Sequence, residues 1–313
     1  CTAVIHIIST LENHTIVNTG TFTNDGVIIE NASGNSSITT NNGIVQNLIG
    51  GTFTIGTDIG GLTSGVGDLW LGCTDTDWAT ASNWLSDSIP TSLVGAVIDS
   101  SLSNQPIISN NTAAVALSVH IGTEASLVIG AGSSLTIDRA TNQGLYNNGL
   151  ISNAGTIIID DTGEEGIFND TTATFNNTGT IEIGQNERLE DAGLENLGIF
   201  NNLSSGIIDI SLTRSHGLLN TEGTFTNNGN LIINFSVSGT PKALNNRATF
   251  LNTPCTATIN LTATGSSATI SNSSTFTNDG IIIENSSGNS SINNNNGIVQ
   301  KLKGRTKKIG TIN

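Results

Sequence analysis

Asp75 and Asp77, with Asp87 and Asp99 further along, set hard oxygen donors at a spacing that suits Ca²⁺. Calcium is the one cofactor the sequence suggests. The loop pattern of helix–loop–helix calcium sites and the Gly-Gly-x-Gly-x-Asp repeat are both missing, so the competing reading is that these aspartates cap turns. A second acidic set, Asp160, Asp161, Glu164 and Glu165, then Glu187, Glu190 and Asp191, lies near Arg188 and Arg214. Paired carboxylates can do general acid–base work on polysaccharides. Here they fall in stretches of uneven length that read as solvated corners. His6, His14, His120 and His216 form no spaced pair, and neither a nucleophile motif nor a phosphate loop occurs. No catalytic residue is expected.

All three tryptophans fall in DLWLGCTDTDWATASNWLSDSIP, at Trp70, Trp78 and Trp84. Exposed, they would offer a stacking platform to a sugar; buried, they would cover an apolar core. Burial is the expectation, with Trp78 and Trp84 packed against the end of a stack of strands that would otherwise lie open.

The composition says what must position these groups. The 313 residues carry a formal net charge of −15, with 36 Gly, 41 Asn, 4 Pro and no Met, and only 11% are charged. Charged residues are usually about a quarter of a soluble domain, so Asn, Thr, Ser and Gly must face the water. Ala, Glu, Lys, Leu and Arg are too scarce for a helical bundle. A basic footprint for nucleic acid is missing from most of the chain. With 36% hydrophobic residues, gathered in Ile and Val runs, the chain can build a core and is not a disordered polar tract. No apolar run is long enough to span a membrane, so membrane insertion is not expected.

Self-comparison exposes a long repeat. TFTNDGVIIENASGNSSITTNNGIVQNLIG, from Thr21, returns as TFTNDGIIIENSSGNSSINNNNGIVQKLKG, from Thr275, an offset of 254 residues. Residues 255–313 are thus equivalent to 1–59, and the chain reads as a window on a tandem array. The copies part where NLIGGTFTIG becomes KLKGRTKKIG. Lys301, Lys303, Arg305, Lys307 and Lys308 supply five of the ten basic residues, leaving 5 basic against 25 acidic groups, a net of −20, in residues 1–300. This basic tail reads as a solvated end, with a docking surface as the alternative. Cys1 and Cys255 are equivalent positions and Cys73 stands alone. One disulfide per repeat is allowed in an oxidising compartment. Free, buried thiols are expected, because Cys1 and Cys73 should lie several layers apart unless the tryptophan segment folds back. Asn-x-Ser/Thr sequons such as those at Asn13, Asn31 and Asn289 are as frequent as chance makes them.

A shorter rhythm runs inside the long one. Runs led by Gly155, Gly179, Gly206, Gly229, Cys255 and Gly280 recur about every 25 residues. Between them lie Phe175, Phe225, Phe250 and Phe276, each in a Thr-Phe context, and a third set, GLYN, GIFN, GIFN and GLLN, led by Gly144, Gly166, Gly198 and Gly217. Three short strands per coil of about 25 residues describe an all-β chain wound as a parallel β-helix, an elongated rod. A right-handed wind is expected because parallel crossovers favour that hand. Alternating Ile and Val side chains bury one face only if the next coil stacks its own upon them. Of Ile157 and Ile159, Ile181 and Ile183, and Ile208 and Ile210, one member of each pair is expected inward. Asn-Gly corners suit a left-handed backbone, and stacked Asn side chains can bond along the axis.

After the tryptophan segment come AVID, PIIS, LSVHIG, SLVIG and SLTID, as though a fresh solenoid began. Trp, then Asp-Trp, then Asn-Trp and a Pro, followed by such strands, resembles the opening segment of β-solenoid domains in giant repetitive surface proteins of gliding and biofilm-forming bacteria, many exported by type IX secretion. The resemblance implies an extracellular or cell-surface location and a structural or adhesive role, and brings no catalytic residues. Cys73 departs from the pattern. The expected organisation is the end of one solenoid repeat in residues 1–67, a junction or cap in 68–92, and the following repeat in 93–313. The expected partners are neighbouring copies, end to end or side by side, with surface glycans second. The alternative is a carbohydrate-binding or polysaccharide-degrading β-helix.

Overall fold

The structure is a computed structural model. It describes residues 4–8, 16–24, 27–31, 35–41, 44–47, 52–58, 61–62, 67–99, 102–235, 242–263, 269–286, 289–302 and 307–312. Every strand-to-strand pairing among them is parallel, and the chain is an all-β solenoid whose long stack makes about 9 turns, with equivalent residues about 24 apart.

Along the body each coil contributes three strands, one to each of three faces. In one coil these are Leu145–Asn147, Leu150–Asn153 and Thr156–Asp160. The next coil lays Ile167–Asn169, Thr174–Asn177 and Thr180–Ile183 on them in register, so that Ile151 pairs with Phe175 and Ile157 with Ile181. A strand of three to five residues has too little surface to fold alone; its stability comes from the identical strands above and below.

The side chains explain the stack. On the third face Ile157 and Ile159 are both fully buried, as are Ile181 and Ile183, and Ile208 and Ile210. The expectation of one inward member per pair is therefore corrected: residues two apart share a side of a strand, and the outward member is the one between, such as Ile158. On the second face Phe175, Phe200, Phe225, Phe250 and Phe276 form a buried column, rings nearly parallel, centroids 4.6–5.0 Å apart. The ring spacing is the coil spacing, so each Phe meets the next without strain.

Two register expectations also change. The third-face strand of the fifth Gly-led run starts at Thr258, paired with Asn230, so Ala257 stands where Gly229 stands one coil earlier, and Cys255 lies two residues before it in an exposed turn. The corner is longer there, with a cis Thr253–Pro254 bond. The GIFN at Gly198 is a second-face strand with Phe200 inward, whereas the GIFN at Gly166 is a first-face strand with Phe168 outward.

The corner glycines serve a different end from the one expected. Among the described residues the left-handed glycines are Gly67, Gly72, Gly132, Gly184 and Gly223. Gly179 is not among them; a Cβ there would lie 2.1 Å from the Gly155 carbonyl oxygen of the coil below. Close approach between coils, not backbone sign, excludes a side chain.

The two sequence copies wind alike. Val4, Val27 and Ile44 pair in succession, as their equivalents Thr258, Ile281 and Ile298 do, and Ser36 pairs with Phe53 as Ser290 does with Lys307.

Candidate functional site

The tryptophan segment breaks the coil rhythm and forms the layer beneath the first coil of the long stack. Asp68 and Leu69 pair in parallel with Ala96 and Val97, and Asp77 bridges Ile107. Backbone bonds run from Trp70 N–H to the Val97 carbonyl and from Trp78 N–H to that of Ile107. Its strands thus present the first two faces with their usual partners while the interior is filled by indoles. Trp70, Trp78 and Trp84 are 1%, 0% and 1% exposed and belong to the same core as Ile98 and Ile108. Trp84 stands edge-on between the others, 5.0 Å from Trp70 and 4.7 Å from Trp78. Such pairs add about 0.5–1.5 kcal/mol each beyond the area they bury. Two indole N–H groups are satisfied, Trp70 by the Asn104 carbonyl at 2.7 Å and Trp84 by the Trp78 carbonyl at 2.9 Å. With no exposed ring face, this segment offers a sugar nothing to stack on.

Asp75 and Asp77 act on the backbone of this layer. Asp75 Oδ1 accepts from the Asp77 amide at 2.8 Å and from Asn83 Nδ2 at 2.7 Å, and Asp77 Oδ1 accepts from the Ala79 amide at 3.0 Å. These bonds hold the Asp75 carboxyl below the usual carboxylate range, the Asp77 amide contributing most. Among the described residues no three His, Cys, Asp or Glu side chains gather at a metal-binding distance. The centre of the network is Asn83, fully buried, which the sequence reading passed over; its Oδ1 accepts from the Thr74 and Asp75 amides. Its only signal was the Asn-Trp dipeptide. Asp68, 1% exposed, accepts from the amide and the hydroxyl of Ser86, and burial pushes its carboxyl up to about 6. Asp99 is likewise raised to about 6 by burial.

The cysteines depart from the expected free, buried thiols. Cys73 is disulfide-bonded and at the surface, and Cys255 is free but exposed. Neither position faces the interior: Cys73 follows the Gly72 bend, and Cys255 sits in the corner before Ala257. Cys1, Lys303 and Arg305 lie outside the described residues. Lys301 is no solvated end. Its ammonium reaches Glu284 Oε2 at 3.1 Å, with side chains 6% and 0% exposed; Glu284 itself stands where Leu261 stands one coil earlier.

Along the body, buried asparagines form two continuous ladders. Asn147, Asn169, Asn196, Asn220, Asn246 and Asn272 each donate from Nδ2 to the Oδ1 of the next, at 2.8 Å throughout. Asn153, Asn177, Asn202, Asn227, Asn252, Asn278 and Asn295 do the same on the second face, at 2.7–2.8 Å. A buried amide without partners costs about 1–3 kcal/mol; stacking every amide on an identical one removes that penalty and fixes the axial register.

The acidic corners lie between the third and first faces. Glu190 is bonded by Arg214 and Arg188, which hold its carboxyl below the usual range, Arg214 contributing most. Asp160 accepts from the Asn186 amide and side chain, tying one corner to the next. Glu165 is 9% exposed, bonded by Gln143 at 3.3 Å and raised by burial. On the first face His120, Tyr146 and Phe168 stack at 4.7 and 5.5 Å, so Tyr146 spends both ring faces on its neighbours.

Together these features define a class: a parallel β-solenoid whose long stack begins on an indole-filled layer. A family model for a domain of unknown function (DUF8693) matches residues 69–192, the tryptophan layer and the coils that follow it. No curated protein matches the chain. Among solved structures, a fragment of TibA, hyper-glycosylated by TibC, aligns over 97% of each chain at 10% identity with a TM-score of 0.21, too low to carry an argument. Among the described residues, no helix is long and apolar enough to cross a membrane.

Proposed function

We propose that this chain is a building repeat of an extracellular filament or cell-surface adhesin, a spacer that supplies length and a regular polar surface rather than chemistry. The observation that carries the reading is the 254-residue period, whose two copies pair their strands in the same register. At about 4.8 Å per coil, ten coils of about 25 residues add roughly 50 Å of rod per repeat. The tryptophan layer is then the junction at which each new solenoid starts, and the disulfide at Cys73 suits an oxidising exterior. Electron microscopy of the native material, combined with a viscosity assay on soluble polysaccharides, tests the reading. Filaments that leave the viscosity unchanged support it. Monodisperse monomers that depolymerise a polysaccharide contradict it.

A further inference from the structure

Charge is spread unevenly around the coil. The third face points Asp138, Glu182 and Asp209 outward, and the corner after it holds the acidic runs. The first face carries His120 and Glu195. The second face carries none: from Ser126–Ile129 through Leu150–Asn153, Thr174–Asn177, Ile199–Asn202, Thr224–Asn227 and Thr249–Asn252 to Thr275–Asn278, no strand residue is charged. Its outward side chains are hydroxyls, amides and aliphatics in two columns, among them Thr224, Thr226, Leu251 and Thr277, with Leu150 40% and Ile199 48% exposed. Charge resumes at the rims, with Asp170, Glu222 and Arg247 on one side and Asp279 on the other.

We propose that this uncharged face is where two copies of the chain pair side by side, sheet against sheet. The inference rests on the reading of the chain as a structural rod. Two molecules of net charge −15 repel through any surface that carries carboxylates and least through one that has none. Both partners present side-chain columns at the same axial spacing, so threonines and aliphatics of one sheet fit the gaps of the other at the usual distance of about 10 Å. Seven strands of four residues present roughly 450 Å² per copy, so the pair buries a little less than the ~1,000 Å² that a specific interface needs. One chain therefore pairs weakly. In a tandem array every further repeat adds the same face at fixed spacing, and avidity makes the pairing firm. Because the contact uses the same face on both sides, it closes at two. Filaments are paired rods, not sheets.

Sedimentation of the full chain over a wide concentration range, at low and high salt, tests this. The expected result is a reversible monomer–dimer equilibrium that tightens with salt, as residual repulsion is screened. Thr226→Glu with Leu251→Glu should weaken it at least tenfold, with an unchanged thermal melt. Ile232→Glu, outward on the third face, should leave it alone. A monomer under all conditions, or a dimer lost with Ile232→Glu but kept by the double variant, overturns the proposal. So does a chain that stays monomeric and instead co-sediments with an insoluble neutral polysaccharide through Thr226 and Leu251; that result assigns the face to a glycan. Unpaired rods in native filaments would sink the pairing alone, whereas polysaccharide cleavage would sink the structural reading beneath it.

Discussion

The tryptophan layer and the coils above it solve the same problem in opposite ways. Among the described residues between Gly144 and Asn278, interior strand positions mostly stack on residues of like kind: Phe on Phe, Ile on Ile or Leu, Asn on Asn. Each residue is held by two near-copies of itself, so one pattern serves at any length. Residues 68–86, at the foot of the long stack, instead use contacts made once, such as the indole of Trp70 on the Asn104 carbonyl and Asn83 at the hub of the Asp75–Asp77 turns. Repetition holds the middle of a solenoid; its end requires specific chemistry. Damage at the end should therefore cost more, per side chain, than damage in the middle.

The largest effect is expected at Trp84, which touches both other indoles. Trp84→Ala should cost about 3–5 kcal/mol, read from urea unfolding, with the loss greatest in the hydrogen-exchange protection of residues 96–121. A loss no larger than that of a mid-body Phe would erase the contrast. Next comes pH. Asp68 has a folded value of about 6 against a usual value of 3.8. A carboxyl raised on folding stabilises while it is protonated; that contribution is full below the unfolded value and is lost as pH rises through the folded one. Stability should thus fall between about pH 4 and 6.5, by at most about 3 kcal/mol at 1.4 kcal/mol per unit, and Asp68→Asn should flatten the slope. Asp99, also raised to about 6 by burial, adds a change of the same sign. In the body, Asn202→Ala removes a donor from Asn227 and an acceptor from Asn177; about 1–3 kcal/mol is expected. Phe225→Leu keeps most of the volume within the ring column and should cost about 1 kcal/mol. Both melts would show whether the body behaves as a chain of equivalent layers.

The body was legible in the sequence because its period is carried by the residues that pack. The Gly-led Ile runs, the Thr-Phe strands and the Asn-Gly corners are visible as letters, and the parallel stack follows from them. Finer register was not, and GIFN shows why. The same four letters place Phe168 outward and Phe200 inward, because the buried asparagine follows immediately in one case, as Asn169, and two residues later in the other, as Asn202. The parity lies in the fifth letter. Cys255 misled for a related reason: the corner before Ala257 is longer, and a fixed count from one run to the next falls two residues short of it. The tryptophan layer was legible as a break but not as a network. Asn83 and Asp68 matter through single contacts across 6 to 18 residues, and single contacts leave no periodic trace.

The central claim is that this chain is one length of a rod in which parallel coils stack along the long axis. X-ray diffraction from oriented native filaments tests it most directly. The account predicts a meridional reflection near 4.8 Å, the coil spacing lying along the fibre, together with a long axial repeat of roughly 50 Å from the 254-residue period. A spacing near 4.8 Å found only across the fibre, or none at all, would contradict it.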